Sequence, residues 1–244
     1  MDVEKRVSII KSWIVDYVNS MPKKASTLVV GVSGGIDSAV VSTISSMTGI
    51  KTIVLSMPIR QIKSQDDLSK LHCNWLEDKF KNTSYLNINL DDVFTNFENA
   101  LGSNDNEHAF ANSRARLRMT TLYQVAGSNN GIVVGTGNKV EDFGVGFYTK
   151  YGDGGVDISP IADCTKTQVW DMGKFLKIDQ KIIDAPPTDG LWTDGRNDED
   201  QLGMSYQDLE EAMINPDSKN FEKYKKIREN NLHKMKEIPV CKFN

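Results

Sequence analysis

The segment Gly31-Val32-Ser33-Gly34-Gly35-Ile36-Asp37-Ser38 concentrates residue types that can hold an anion. Adjacent glycines let backbone N–H groups turn inward around a charge. The Ser33 and Ser38 hydroxyls add donors, and a helix starting here contributes its N-terminal dipole. Phosphate binding is the chemistry this favours, although the same residues also suit an ordinary strand-to-helix turn with a Ser or Asp cap. The string lacks the Lys of a Walker A loop and the spacing of a G-x-G-x-x-G fingerprint, which disfavours a kinase or a dehydrogenase. Lys166 stands in the first turn of a helix expected after Thr165, where a cation opposes the dipole unless an anion lies nearby. Glu141, beside Asp142, reads as a ligand or as a solvated surface charge. The Arg114, Arg116 and Arg118 cluster and the His233-Lys234 pair are open to the same two readings.

The elements that must position these groups follow from periodicity. Val7, Ile10, Ile14 and Val18 recur at helical spacing, so residues 3–20 form an amphipathic helix ended near Pro22. Strands are expected at 27–32, 51–56, 85–90 and 131–135. Helices are expected at 37–47, at 64–80 with Ser64 and Asp67 as a capping box, and at 107–126. Strands alternating with helices predict an α/β fold, a doubly wound, Rossmann-like parallel sheet flanked by helices, in a single domain over 1–244. Beyond Gly135 the pattern changes: Gly144, Gly146, Gly152, Gly154 and Gly155 concentrate backbone freedom. Thr165 with Gln168 forms a capping box for a helix to about residue 176, and Ser205 with Asp208 another. Residues 189–203, rich in Asp, Gly and Asn, are expected as a mobile loop, and 218–236 as a lysine-rich surface helix.

Composition narrows the partners. A net charge of -4 supplies no basic footprint, so nucleic acid is not expected. The N-terminus lacks a signal-peptide pattern and no apolar run is long enough to cross a bilayer, so a cytoplasmic protein without membrane association is expected. Cys73, Cys164 and Cys241 are far apart and form no C-x-x-C pair, and are read as reduced thiols.

The Ser33–Ser38 string after a first strand resembles the pyrophosphate loop of the N-type ATP pyrophosphatases. A second constellation is more selective. Gly135-Thr136-Gly137-Asn138-Lys139-Val140-Glu141 is followed by Phe147-Tyr148-Thr149-Lys150-Tyr151-Gly152-Asp153-Gly154-Gly155-Val156-Asp157. Together with Asn112–Met119, Pro160, Thr165-Lys166, Pro187-Thr188 and His233-Lys234, this order closely resembles the ammonia-dependent NAD synthetases over residues 31–234. The resemblance implies amidation of nicotinate adenine dinucleotide to NAD, with ATP cleaved to AMP and pyrophosphate. It also implies that the Gly31–Ser38 loop, Thr136, Lys166 and Thr188 contact ATP, and that Asp37 and Glu141 hold Mg²⁺. Arg116, Lys150, Asp157, His233 and Lys234 would contact the dinucleotide. Asp153 would lie near the nicotinate and place or deprotonate ammonium, with Lys166 as its catalytic companion. A carboxylate attacking the α-phosphorus meets charge repulsion, so a divalent ion and cationic donors fit the chemistry.

The chain also departs from the family's pattern. Many bacterial relatives carry Asp-His where Gly137-Asn138 stands, and Gly144 reads as one extra residue between Glu141 and Thr149, which keeps Asp142 as an alternative metal ligand. The ATP domain begins almost at once, leaving no room for a fused glutaminase, so free ammonia is the expected donor. The resemblance implies a homodimer, and residues 189–203 and 59–67 are expected to order over substrates. Two other readings remain. Another ATP pyrophosphatase would not need the 147–157 and 233–234 motifs, and a noncatalytic nucleotide sensor would gain nothing from paired metal carboxylates.

Overall fold

Four parallel strands carry the architecture of the computed structural model, which describes residues 1–188, 190 and 197–243. They are β1 (Thr27–Gly31), β2 (Lys51–Ser56), β3 (Thr83–Asn87) and β4 (Gly131–Val133), in the order β3-β2-β1-β4. Val29 of β1 lies opposite Ile53 of β2 and Val133 of β4. The central strand reads as a continuous apolar run because both faces are covered. Leu28 and Val30 enter one core, and Val29 enters the other.

Helices α1 (Val3–Ser20), α2 (Ile36–Met47), α3 (Lys63–Lys79), α6 (Lys166–Phe175) and α7 (Gln180–Ile183) contribute to the first core, through residues such as Ile14, Ile44, Leu76, Met172 and Ile182. Helices α4 (Asp91–Leu101) and α5 (Glu107–Ser128) build the second around Phe94, Met119 and Leu122. The four residues that predicted α1 are all buried. A third cluster joins a π-helical turn, Lys139–Val145, to α8 (Asp198–Leu202), α9 (Tyr206–Ile214) and α10 (Phe221–Met235). The chain winds from β1 through β2 to β3, then returns to place β4 on the other side of β1. The winding direction therefore reverses between β1 and β4, where open α/β sheets hold ligands beyond their C-terminal strand ends.

Several local expectations are revised. The Ser64–Asp67 capping box does not form, because α3 starts at Lys63 with Ile62 at its N-cap and no side-chain cap bond. Strand β3 occupies Thr83–Asn87, and α4 starts soon after it. Within the expected 189–203 loop, residues 198–202 are helical under a reciprocal Asn197–Asp200 capping box, with Leu202 buried. Residues 189 and 191–196 of that loop lie outside the described residues. The Thr165–Gln168 box forms as expected.

Candidate active site

Strand β1 delivers the glycine loop to the switch point, and α2 begins immediately behind it. The loop ties itself into shape: the Ser33 N–H donates to Ser38 Oγ at 3.2 Å, the Gly35 N–H to Ser33 Oγ at 3.2 Å, and Ser38 Oγ to the Gly35 carbonyl at 2.9 Å. Gly35, the N-cap of α2, supplies no side-chain acceptor, so this helix start relies on a partner from outside the helix. Gly34 takes φ +92°, and a Cβ there would lie 2.7 Å from the Gln65 carbonyl oxygen of α3, so only glycine fits. Ser69 of α3 donates to the Val32 carbonyl at 2.6 Å and fixes the base of the loop.

Asp37 projects from the first turn of α2, Glu141 from the π-helical turn after β4, and Lys166 from the first turn of α6. Lys166 Nζ donates to Asp37 Oδ2 at 2.5 Å and to Glu141 Oε1 at 2.8 Å, and the lysine is only 2% exposed. This cation, unfavourable beside its own helix start, is held by two carboxylates. Burial pushes its pKa down, but the charges and hydrogen bonds of Asp37 and Glu141 outweigh this and raise it. Asp37 is raised by burial, reinforced by the charge of Glu141, against Lys166 and Asn138. Glu141 is also pushed up by burial, yet Lys166, Tyr206 and Asn138 together bring it below the usual carboxylate range.

Three further residues complete this constellation. Asn138, fully buried, donates from Nδ2 to Asp37 Oδ1 at 3.0 Å, while its Oδ1 accepts the Val140 and Glu141 N–H groups at 2.9 and 3.1 Å. One side chain thus caps the π-helical turn and aligns the two acids. The Tyr206 hydroxyl, from α9, donates to Glu141 Oε1 at 2.5 Å and lies 3.2 Å from Asp198 Oδ2. Arg118 lines the same cleft from α5 and donates to the Met57 carbonyl and Gln61 Oε1. The sequence showed Asn138 within the Gly135–Glu141 motif and as a departure from the bacterial pattern, and Arg118 within the Asn112–Met119 basic segment, but gave neither a role in the site. Tyr206, 65 residues from Glu141, left no local signal.

The cleft also gathers Gly31, Val32, Ser33, Gly35, Ile36, Ser38, Thr136, Asp142, Asp153 and Thr188. The expected nucleotide-contact residues other than Gly34, both candidate metal ligands and Asp153 therefore share one cavity. The expected dinucleotide contacts do not line it. Arg116 Nε donates to the Lys150 carbonyl at 3.2 Å, and Lys234 Nζ to the Tyr148 carbonyl at 2.8 Å. Asp157 accepts the Val133 N–H at 2.7 Å and the Tyr123 hydroxyl at 3.0 Å, and His233 is exposed on the last turn of α10. Arg116 and Lys234 brace the 148–151 segment, to which Lys150 itself belongs, and Asp157 is bound to the edge of β4.

Asp37 and Glu141 present carboxylate oxygens to one positive centre, a donor set suited to a hard cation such as Mg²⁺. Among the described residues, the cleft carries Asp37, Asp66, Glu141, Asp142, Asp153 and Asp198 against Lys166 and Arg118. A polyphosphate entering such a cleft needs cations to accompany it.

A phosphate-type loop at the switch point of a parallel sheet, facing a carboxylate pair that holds a buried lysine, defines an α/β fold with a cleft suited to a nucleotide. The model of one family, NAD synthase, matches residues 6–242. An NH(3)-dependent NAD(+) synthetase of Carboxydothermus hydrogenoformans is 36% identical over 216 residues, covering 86% of this chain and 85% of the relative. The solved NMN synthetase of Francisella tularensis superposes with a TM-score of 0.90 at 30% identity, covering 100% of both chains. An NH3-dependent NAD synthetase of Campylobacter jejuni, in complex with a nitrate ion, gives 0.79 at 25% identity over 99% of this chain and 100% of the other. The chain belongs to the NAD synthase family.

Proposed function

We propose that this chain, acting as one domain, amidates nicotinate adenine dinucleotide to NAD with free ammonia, in the last step of NAD biosynthesis. The observation that carries the reading is the Asp37–Lys166–Glu141 constellation beneath the glycine loop. A nicotinate carboxylate oxygen attacks the α-phosphorus of ATP and pyrophosphate leaves, giving an acyl adenylate. Ammonia then attacks the carbonyl carbon, the C–O bond to AMP breaks, and the nitrogen loses a proton. The Gly31–Ser38 loop and the α2 N-terminus hold the pyrophosphate as its charge develops, and Thr136 and Thr188 contact ATP. Lys166 supplies positive charge to the phosphates, and Asp153 places ammonium or accepts its proton. Asp37 and Glu141 hold Mg²⁺, which when bound neutralises phosphate charge. Arg116, Lys150, Asp157, His233 and Lys234 form the dinucleotide-facing surface of a homodimer, and the reaction belongs in the cytoplasm. No helix among the described residues is long and apolar enough to cross a membrane.

The likeness to the Francisella enzyme favours a second reading, in which the acceptor is nicotinate mononucleotide. One assay separates the two: purified protein with ATP, Mg²⁺, ammonium and either acceptor, with amide product and pyrophosphate followed together. A higher kcat/KM for the dinucleotide supports the first reading, and a higher value for the mononucleotide replaces it with the second. Pyrophosphate release without amide from either acceptor refutes both. Sedimentation of the purified protein tests the dimer.

A further inference from the structure

Helix α9 grips the Lys166–Glu141 pair from two points one turn apart. Tyr206, on its first turn, meets Glu141 through its hydroxyl, and its ring centroid lies 4.8 Å from Lys166 Nζ and 5.8 Å, edge-on, from the ring of Trp170 in α6. Glu210 follows four residues later on the same face of α9 and reaches the start of α6. Its Oε1 accepts the Thr167 N–H at 2.9 Å, and its Oε2 accepts the Thr167 hydroxyl at 2.7 Å. Thr167 is the chain neighbour of Lys166, and neither Thr167 nor Glu210 lines the cleft. Tyr206 thus holds the glutamate of the pair, while Glu210 holds the backbone that carries the lysine.

The local cap of α6 leaves this contact to be made. In the capping box the Gln168 N–H donates to Thr165 Oγ1 and the Thr165 N–H to Gln168 Oε1, which leaves the Thr167 N–H, at the second helical position, to find an acceptor elsewhere. Glu210 supplies it from another helix, and its negative charge offsets the dipole that opposes a lysine in the first turn. Two bonds to one residue restrain the turn against rotation as well as displacement. A lysine on the surface would absorb a small backbone shift in its own flexible stem. Lys166 is 2% exposed and already spans two carboxylates at 2.5 and 2.8 Å, so a shift at Thr167 passes to Nζ.

We infer that Glu210 is a positioning residue for Lys166, acting through Thr167; this rests on the amidation proposed above, in which Lys166 brings charge to the phosphates. Wild type, Glu210→Ala, Glu210→Gln, Thr167→Val and the Glu210→Ala/Thr167→Val double variant are compared in steady-state assays with the better acceptor, well below their melting temperatures. Glu210→Ala should lower kcat about ten- to a hundredfold, the scale of a small misplacement at a reacting group. The KM values for acceptor and ammonium should stay within about twofold, because the lost interaction belongs to the transition state. Glutamine can accept the N–H and donate to the hydroxyl, so Glu210→Gln should keep kcat within about threefold of wild type. Thr167→Val removes one of the two bonds and should fall between wild type and Glu210→Ala, and the double variant should be no worse than Glu210→Ala. A Glu210→Ala enzyme that melts lower yet turns over like wild type overturns the inference, as does a Glu210→Gln enzyme as slow as Glu210→Ala or a loss that multiplies in the double variant; the amidation stands in each case. If Glu210→Ala does not fold, a wild-type kcat in Thr167→Val overturns it equally. A wild type that amidates neither acceptor removes the reaction and the inference together.

Discussion

Replacing Lys166 by Met keeps the length of the side chain and removes its charge, which isolates what the buried ammonium does. In wild type, Nζ lies 2.5 and 2.8 Å from Asp37 and Glu141, whose side chains are each 16% exposed. Removing one member of a buried ion pair costs about 3–5 kcal/mol. Because both acids open onto the cleft, the lower figure of about 3 kcal/mol applies. For a chain of this size about 1 kcal/mol moves the melting temperature by about 2–4 °C, so K166M should melt about 6–12 °C below wild type without divalent ions. Mg²⁺ at about a hundredfold its dissociation constant should return about 2.7 kcal/mol, because the bare carboxylates favour the folded, metal-bound form. The double variant K166M/E141Q should melt above K166M in metal-free buffer and respond less to Mg²⁺. Calorimetry of the three proteins with and without Mg²⁺ measures this directly. The electrostatic account fails if K166M melts with wild type in metal-free buffer, or if E141Q lowers its stability further.

Asn138→Asp should reduce turnover at least about a hundredfold, since it sets a third carboxylate against Asp37 and loses the Nδ2 donor; Asn138→Ala, which removes the alignment without adding charge, should fall between it and wild type in the same assay. Tyr206→Phe deletes a donor to a buried carboxylate and should cost about 1.5–3 kcal/mol by denaturant titration. His72, held between Ser42 and the Ala39 carbonyl, has its pKa lowered from 6.5 to about 4, chiefly by burial. Below pH 6.5 the unfolded chain binds a proton that the folded state refuses, so stability should fall as pH drops towards 4 and then level off. The loss from this group amounts to about 3 kcal/mol, and urea titrations across that range on wild type and His72→Gln should show a shallower slope for the variant.

Much of the scaffold was legible because burial imposes a period. The residues repeating along α1 are those that pack, and the apolar run of β1 reads as a strand covered on both faces. The loop and its two acids could be read because glycine pairs and charged residues at element ends have few cheap explanations together. Helix α4 was obscured because its start follows closely on β3, and Phe94 is its only buried residue. Ser64 and Asp67 had the right spacing for a cap, but α3 begins one residue earlier, and a cap depends on where the backbone turns. Tyr206 joins the site through tertiary packing, and no local pattern records that its hydroxyl meets Glu141. The extra residue near Gly144 was visible as a count, but its accommodation inside a helical turn required coordinates.

Gly34 has a mechanical consequence. With backbone of α3 filling the space where its side chain would stand, no compliant layer separates the anion loop from that helix, and Ser69 pins the two together at Val32. Loop and helix therefore move as one lever. In the proposed reaction, the pull of the departing pyrophosphate would pass into α3 and on through His72 to the middle of α2, so that the scaffold and not a soft hinge would bear it.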